Sequence, residues 1–214
     1  MNKQNLETIL AYFDEILPNA KTELIYNKPY ELLIAVVLSA QTTDVAVNQV
    51  TKKLFAKFTT LKALSNASYE QVAAILKTLG LYQTKSKHVL TIAKMLLEKF
   101  EGQVPCEKEQ LLTLPGVGIK TANVVRAELF NIPEIAVDTH VTRVSKRLKF
   151  AKFSDNVTII EAKLRKILPM DRYIKTHHQM IHFGRYFCLA RSPKCYDCPL
   201  VNICAEPNKN LIKK

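Results

Sequence analysis

Lys120 closes the stretch Leu114-Pro115-Gly116-Val117-Gly118-Ile119-Lys120-Thr121, and Asp138 stands eighteen residues further on. The glycines ahead of Lys120 mark a helix start. Two glycines around one valine give a tight turn whose bare amides suit a phosphate. Taken alone, the string also reads as an ordinary turn between helices with an exposed lysine. A nucleotide-binding P-loop is excluded, because it needs four residues between its first glycine and Gly-Lys-Ser/Thr, after a strand. Here Lys120 follows Ile119, and the preceding segment has helical spacing.

Cys188, Cys195, Cys198 and Cys204 form the second constellation, with six, two and five residues between them. Four thiolates so close in sequence can close around one soft metal centre at little cost in chain entropy. Structural zinc usually uses two short Cys-Cys knuckles, and only one is present; iron–sulfur centres also take four thiolates. Spacing leaves both open, with iron–sulfur ahead. Cys106 reads as a single thiol at a helix start, and an odd total of five argues against a disulfide framework.

The elements that must position these groups read as helices throughout. Leu6, Ile9, Leu10, Phe13, Ile16 and Leu17 share a face, and Pro29 opens an apolar helix through Ala40. Asp44 is placed to cap the helix running to Phe58, and Ser68 with Gln71 makes a capping box. Gln41, just beyond the apolar helix, can satisfy that helix end or offer its paired donor and acceptor to a base edge. Leu81 follows Gly80 on an expected loop, as a tucked residue or an apolar wedge between base steps. A helix from Lys85 to Phe100 leads to the glycine motif. Asp138 reads as the cap of a helix through Leu148, and Arg172 to Ala190 reads as a long helix carrying His178 and His182 on one face. No alternating strand pattern stands out, so the fold class is all-α.

Composition narrows the function. Thirty-one Lys and Arg against nineteen Asp and Glu give a net charge of +12, suited to nucleic acid. Between Arg143 and Lys166 there are eight basic and two acidic residues, net +6, which reads as a surface tracking a phosphate backbone. The longest apolar run, Leu32 to Ala40, is far short of the roughly twenty residues that span a bilayer, so no membrane role is expected. With no secretory signal at the N-terminus, a cytoplasmic, nucleoid-associated location is expected.

Together these residues carry a specific resemblance. Leu32-Leu33-Ile34-Ala35-Val36 through Ser39-Ala40-Gln41, Gly80-Leu81-Tyr82, the glycine hairpin with Lys120-Thr121-Ala122-Asn123-Val124-Val125, Ala136-Val137-Asp138-Thr139-His140 and the cysteine spacing closely resemble bacterial endonuclease III, the helix-hairpin-helix DNA glycosylase and abasic-site lyase family. The resemblance runs almost end to end. It implies two helical lobes with a DNA groove between them: a six-helix barrel over 22–132, with the hairpin motif at about 108–128, and a discontinuous lobe of 1–21 and 133–214 holding a 4Fe-4S cluster in its 188–204 loop. It implies base excision repair of oxidised pyrimidines, on damaged double-stranded DNA and by a monomer, through a Schiff base on Lys120 assisted by Asp138. Gln41, Leu81, Gly116, Gly118, His140, Arg143 and Arg191 are expected to contact DNA. Related adenine glycosylases share the fold and cluster but normally lack the lysine nucleophile. Ile119 departs from the family pattern, replacing a basic residue often found before the lysine; Arg191 and Lys194 are expected to make up the lost phosphate contact.

Overall fold

The computed structural model describes residues 2–213, and no strand occurs among them. The chain divides into two compact units, Glu23–Ile132 and the paired segments Met1–Thr22 and Pro133–Lys214.

The continuous unit is built on α2 (Pro29–Leu38), in which every residue from Tyr30 to Leu38 is buried. A helix apolar on all sides belongs in the centre of a core. Glu31, only 4% exposed, accepts the backbone N–H groups of Asn27 at 2.8 Å and Lys28 at 3.3 Å. Its charge sits at the helix's positive end, where orphan donors need an acceptor. The next helix, α3 (Asp44–Lys57), is capped by Thr43, one residue before the expected cap, because the Thr43 hydroxyl accepts from Ala46 N at 3.3 Å. Asp44 instead lies in the first turn, where a carboxylate also complements the dipole.

Two short helices follow, α4 (Leu61–Ser65) and α5 (Tyr69–Leu76), the second closed by the expected Ser68–Gln71 box. The long α6 (Tyr82–Lys99) starts three residues earlier than its spacing suggests, because Leu81 takes a left-handed conformation (φ 58°) and becomes its N-cap. The hairpin lies between α7 (Lys108–Leu112) and α8 (Ile119–Phe130). Leu33, Val37, Val89, Ile92, Leu96, Leu114, Val117 and Val125 interlock as α2 packs against α3, α6 and α8. Each such side chain contributes roughly 1.5–3 kcal/mol on burial.

The discontinuous unit joins α1 (Lys3–Ile16) to α9 (Thr139–Arg147), α10 (Val157–Ile167) and α11 (Tyr173–Tyr186). Phe13 of α1 packs its ring 5.2 Å from that of Phe183 on α11. Asp14 then ties the same pair of helices together, pairing with Arg172 and Lys175, both at 2.7 Å, and accepting from Gln179 Nε2 at 3.0 Å. The last helix stops at Tyr186 rather than Ala190, because Cys188 N turns back to Phe183 O at 2.7 Å.

Candidate functional site

The hairpin is shaped by two glycines with different duties. Gly116 has φ +78°, a conformation L side chains rarely adopt. A Cβ there would also lie 2.6 Å from His88 Nδ1 and 3.0 Å from Val37 Cγ1. Gly118 is extended, caps α8, and has nothing within 4 Å of a Cβ position. Between them Val117 is buried and anchors the turn to the core. The first-turn amides of α8 have no intrahelical acceptor, an arrangement that suits an anion. Lys120 lies in that first turn and is exposed.

In the other unit, the buried run Ile135-Ala136-Val137 leads into Asp138, the N-cap of α9. Its Oδ1 accepts from Val141 N at 2.7 Å, while Oδ2 takes no hydrogen bond among the described residues. Burial pushes the His140 imidazole below its ordinary pKa; Asp138 opposes the shift, and Arg143 and Arg185 reinforce it. Arg143 Nη2 lies 3.2 Å from His140 Nδ1, which suits a neutral ring accepting at that nitrogen. The same guanidinium donates to Gly184 O at 2.6 Å and to Cys188 O at 3.0 Å.

The basic run from Arg143 to Lys166 therefore differs from its reading as a surface for phosphates. Arg143 points at backbone carbonyls, Arg147 pairs with Glu206 at 2.5 Å, Lys163 with Asp155 at 2.6 Å, and Arg165 with both Glu134 and Glu161. Half of its eight cations are thus held in contacts within the unit. Lys149, Lys152 and Lys166 remain exposed, and Lys146 is half-buried.

All four cysteines of the C-terminal cluster are free, half-buried thiols lining one small cavity of about 20 Å³. Leu148, Phe183, Phe187 and Val201 supply apolar walls. Burial pushes the Cys198 thiol up to about 11, with the three neighbouring cysteine sulfurs adding to the shift. Arg147 Nη1 donates to Cys188 Sγ at 3.3 Å, and Glu206 N to Cys204 Sγ at 3.4 Å. Donors aimed at sulfur are what thiolates ligating a metal centre require. Among the described residues, no three His, Cys, Asp or Glu side chains converge as a single-ion site. His178 is buried in α11, and His182 Nε2 instead meets Lys21 O at 2.9 Å. Cys106 lies in the other unit, where its carbonyl accepts from Arg126 Nη1 at 2.7 Å.

Gln41 and Leu81, both exposed, adopt left-handed backbone conformations with φ 53° and 58°. Arg191 and Lys194 are exposed on the cysteine loop. No helix among the described residues is long and apolar enough to cross a membrane.

Known proteins match this arrangement. The model of the HhH-GPD superfamily of base excision DNA repair proteins covers residues 34–170. Endonuclease III of Bacillus subtilis (strain 168) is 43% identical over 209 residues, 98% of this chain and 95% of that protein. The chain belongs to the endonuclease III family. Endonuclease III of Escherichia coli (strain K12) is 44% identical over 98% of this chain and 99% of its own. A solved endonuclease III, trapped as a covalent intermediate with DNA, superposes with a TM-score of 0.91 and 46% identity, covering 96% of this chain and 97% of the other. As an endonuclease III, this protein is a base excision repair enzyme, a DNA glycosylase with abasic-site lyase activity.

Two further features are set by packing. Lys85 is only 4% exposed, although its place on the stripe of Val89, Ile92 and Leu96 marked it as inward-facing. Gly184 lets α11 approach α9, since a Cβ there would lie 3.0 Å from His140 Cβ; an isolated glycine within a helical pattern was its signal.

Proposed function

We propose that this chain removes oxidised pyrimidines from damaged double-stranded DNA and then cuts the strand at the abasic site, with Lys120 as nucleophile and Asp138 as the assisting carboxylate. The observation that carries the proposal is the open position of the Lys120 amine in the first turn of α8, directly after a hairpin shaped to receive phosphate. The covalent DNA intermediate of the solved relative supports a nucleophile of this kind.

In the proposed reaction the neutral Lys120 amine forms a bond to deoxyribose C1′ as the C1′–N glycosidic bond breaks and the base departs with a proton. Asp138 stabilises the positive charge that builds on the sugar, and its Oδ2 is clear of other hydrogen bonds for this work. Ring opening gives the Schiff base. Loss of a C2′ proton then expels the 3′ phosphate, and water releases the product from Lys120. Because C1′ is hidden in stacked DNA, the nucleotide must leave the helix, and damaged bases unstack more cheaply. Leu81 serves as the wedge and Gln41 as the group that fills the gap. The amides around Gly116 and Gly118, together with Arg191, hold phosphates, and His140 and Arg143 shape the DNA face beside Asp138.

Cys188, Cys195, Cys198 and Cys204 would hold a 4Fe-4S cluster. When bound, it supplies four iron–thiolate bonds that staple the loop carrying Arg191 and Lys194. The enzyme works as a monomer in the cytoplasm, associated with the nucleoid through DNA.

Borohydride reduction on an abasic duplex tests the reaction. Wild type should be captured as a covalent adduct and Lys120→Ala should not; absence of an adduct from wild type would remove the lyase mechanism.

A further inference from the structure

The buried amine of Lys85 lies beneath the two turns assigned above to the opening of DNA. Its backbone N–H donates to Leu81 O at 3.0 Å, in the first hydrogen bond of α6. Its side chain crosses to the turn after α2, where Nζ donates to Thr42 Oγ1 at 2.6 Å. The Thr42 hydroxyl donates in turn to Ala40 O at 3.3 Å. This relay spans Gln41 on both sides.

The two residues thus bracketed are both non-glycine residues in the left-handed region. That conformation costs about 1 kcal/mol or more and persists only where surrounding structure enforces it. Gly80 precedes Leu81, yet the left-handed positions themselves are occupied by Gln41 and Leu81. We infer that Lys85 is a positioning residue that couples the Gln41 turn to the Leu81 turn, so that gap-filler and wedge enter the duplex as one preset unit.

The energetics favour a functional reason for this lysine. A buried ammonium at a helix N-terminus opposes the helix dipole, and Thr42 Oγ1 is its one hydrogen-bond acceptor among the described residues. Burial pushes its pKa below the ordinary lysine value, with no carboxylate opposing the shift. An apolar side chain of the same length would pack there at less cost. A residue kept for stability alone would not be a cation.

The inference rests on the assignment of Gln41 and Leu81 to DNA opening, and the experiment separates the two. A duplex carrying a reduced, uncleavable abasic site beside 2-aminopurine brightens when the neighbouring stack is opened. Lys85→Met and Thr42→Val should each weaken this opening by about tenfold, the effect of losing one charge-assisted hydrogen bond, and the double variant should be no worse than either. The melting temperature of Lys85→Met should be equal to wild type or higher. Wild-type opening in both single variants, effects that multiply in the double variant, or a loss of opening matched by loss of folded protein would overturn the inference. Leu81→Ala and Gln41→Ala report on the underlying assignment. If they open the duplex normally, that assignment fails; if they do not while Lys85→Met and Thr42→Val do, only the coupling fails.

Discussion

Gly116 rests against the imidazole of His88, and a methyl group on its Cα would stand 2.6 Å from Nδ1. The hairpin and α6 therefore touch at a point where no side chain fits, and the left-handed φ of Gly116 adds a second constraint. Gly116→Ala should destabilise the protein by about 1–3 kcal/mol in chemical denaturation. Gly118→Ala should melt like wild type, since its Cβ meets nothing, yet bind duplex DNA more weakly because the methyl occupies the phosphate's approach. Equal stability losses in the two variants would contradict this division of duties.

Acid should unfasten α1. The Arg172 guanidinium hydrogen-bonded to Asp14 holds its carboxyl well below the usual carboxylate range, with Lys175 and Gln179 adding to the effect. A carboxyl with a depressed folded-state pKa contributes stability above its unfolded value of about 4 and loses it as the pH falls through the folded value. Thermal melts should show Asp14→Asn less stable than wild type at neutral pH, with the gap closing below about pH 4. Because Asp14 is partly exposed, high salt should narrow the gap as well.

The cysteine cavity makes a prediction about metal content. Protein purified without oxygen should be brown and carry about four irons and four sulfides per chain. Cys198→Ser should lose both and expose the 188–204 loop to protease. A colourless protein with one zinc per chain would exclude the cluster.

Arg191 and Lys194 are exposed on that loop, whereas half the basic run in 143–166 is held in contacts within its unit. Replacing both with alanine should weaken binding to every duplex sequence and reduce the salt slope of log K by about 1.8, two phosphate contacts' worth. An unaltered slope would place the phosphate contacts elsewhere.

Local rules made much of this molecule legible. The Ser68–Gln71 box, the cap at Asp138 and the proline opening α2 depend on neighbours within one helical turn, and the structure has all three. Where α6 begins was not legible. A left-handed leucine is locally unfavourable, so no rule of neighbouring residues would place a helix start there.

By itself the sequence determined the helical character of the chain, the glycine hairpin ahead of Lys120, the cap at Asp138 and the cysteine spacing, because periodicity, caps and spacing are written over a few consecutive residues. Tertiary structure alone decided which cations face solvent. Arg147 meets Glu206 and Arg165 meets Glu134 across 59 and 31 positions of chain, and Lys85 finds Thr42 across 43. Such pairings depend on where the core places each helix, and no local pattern records that.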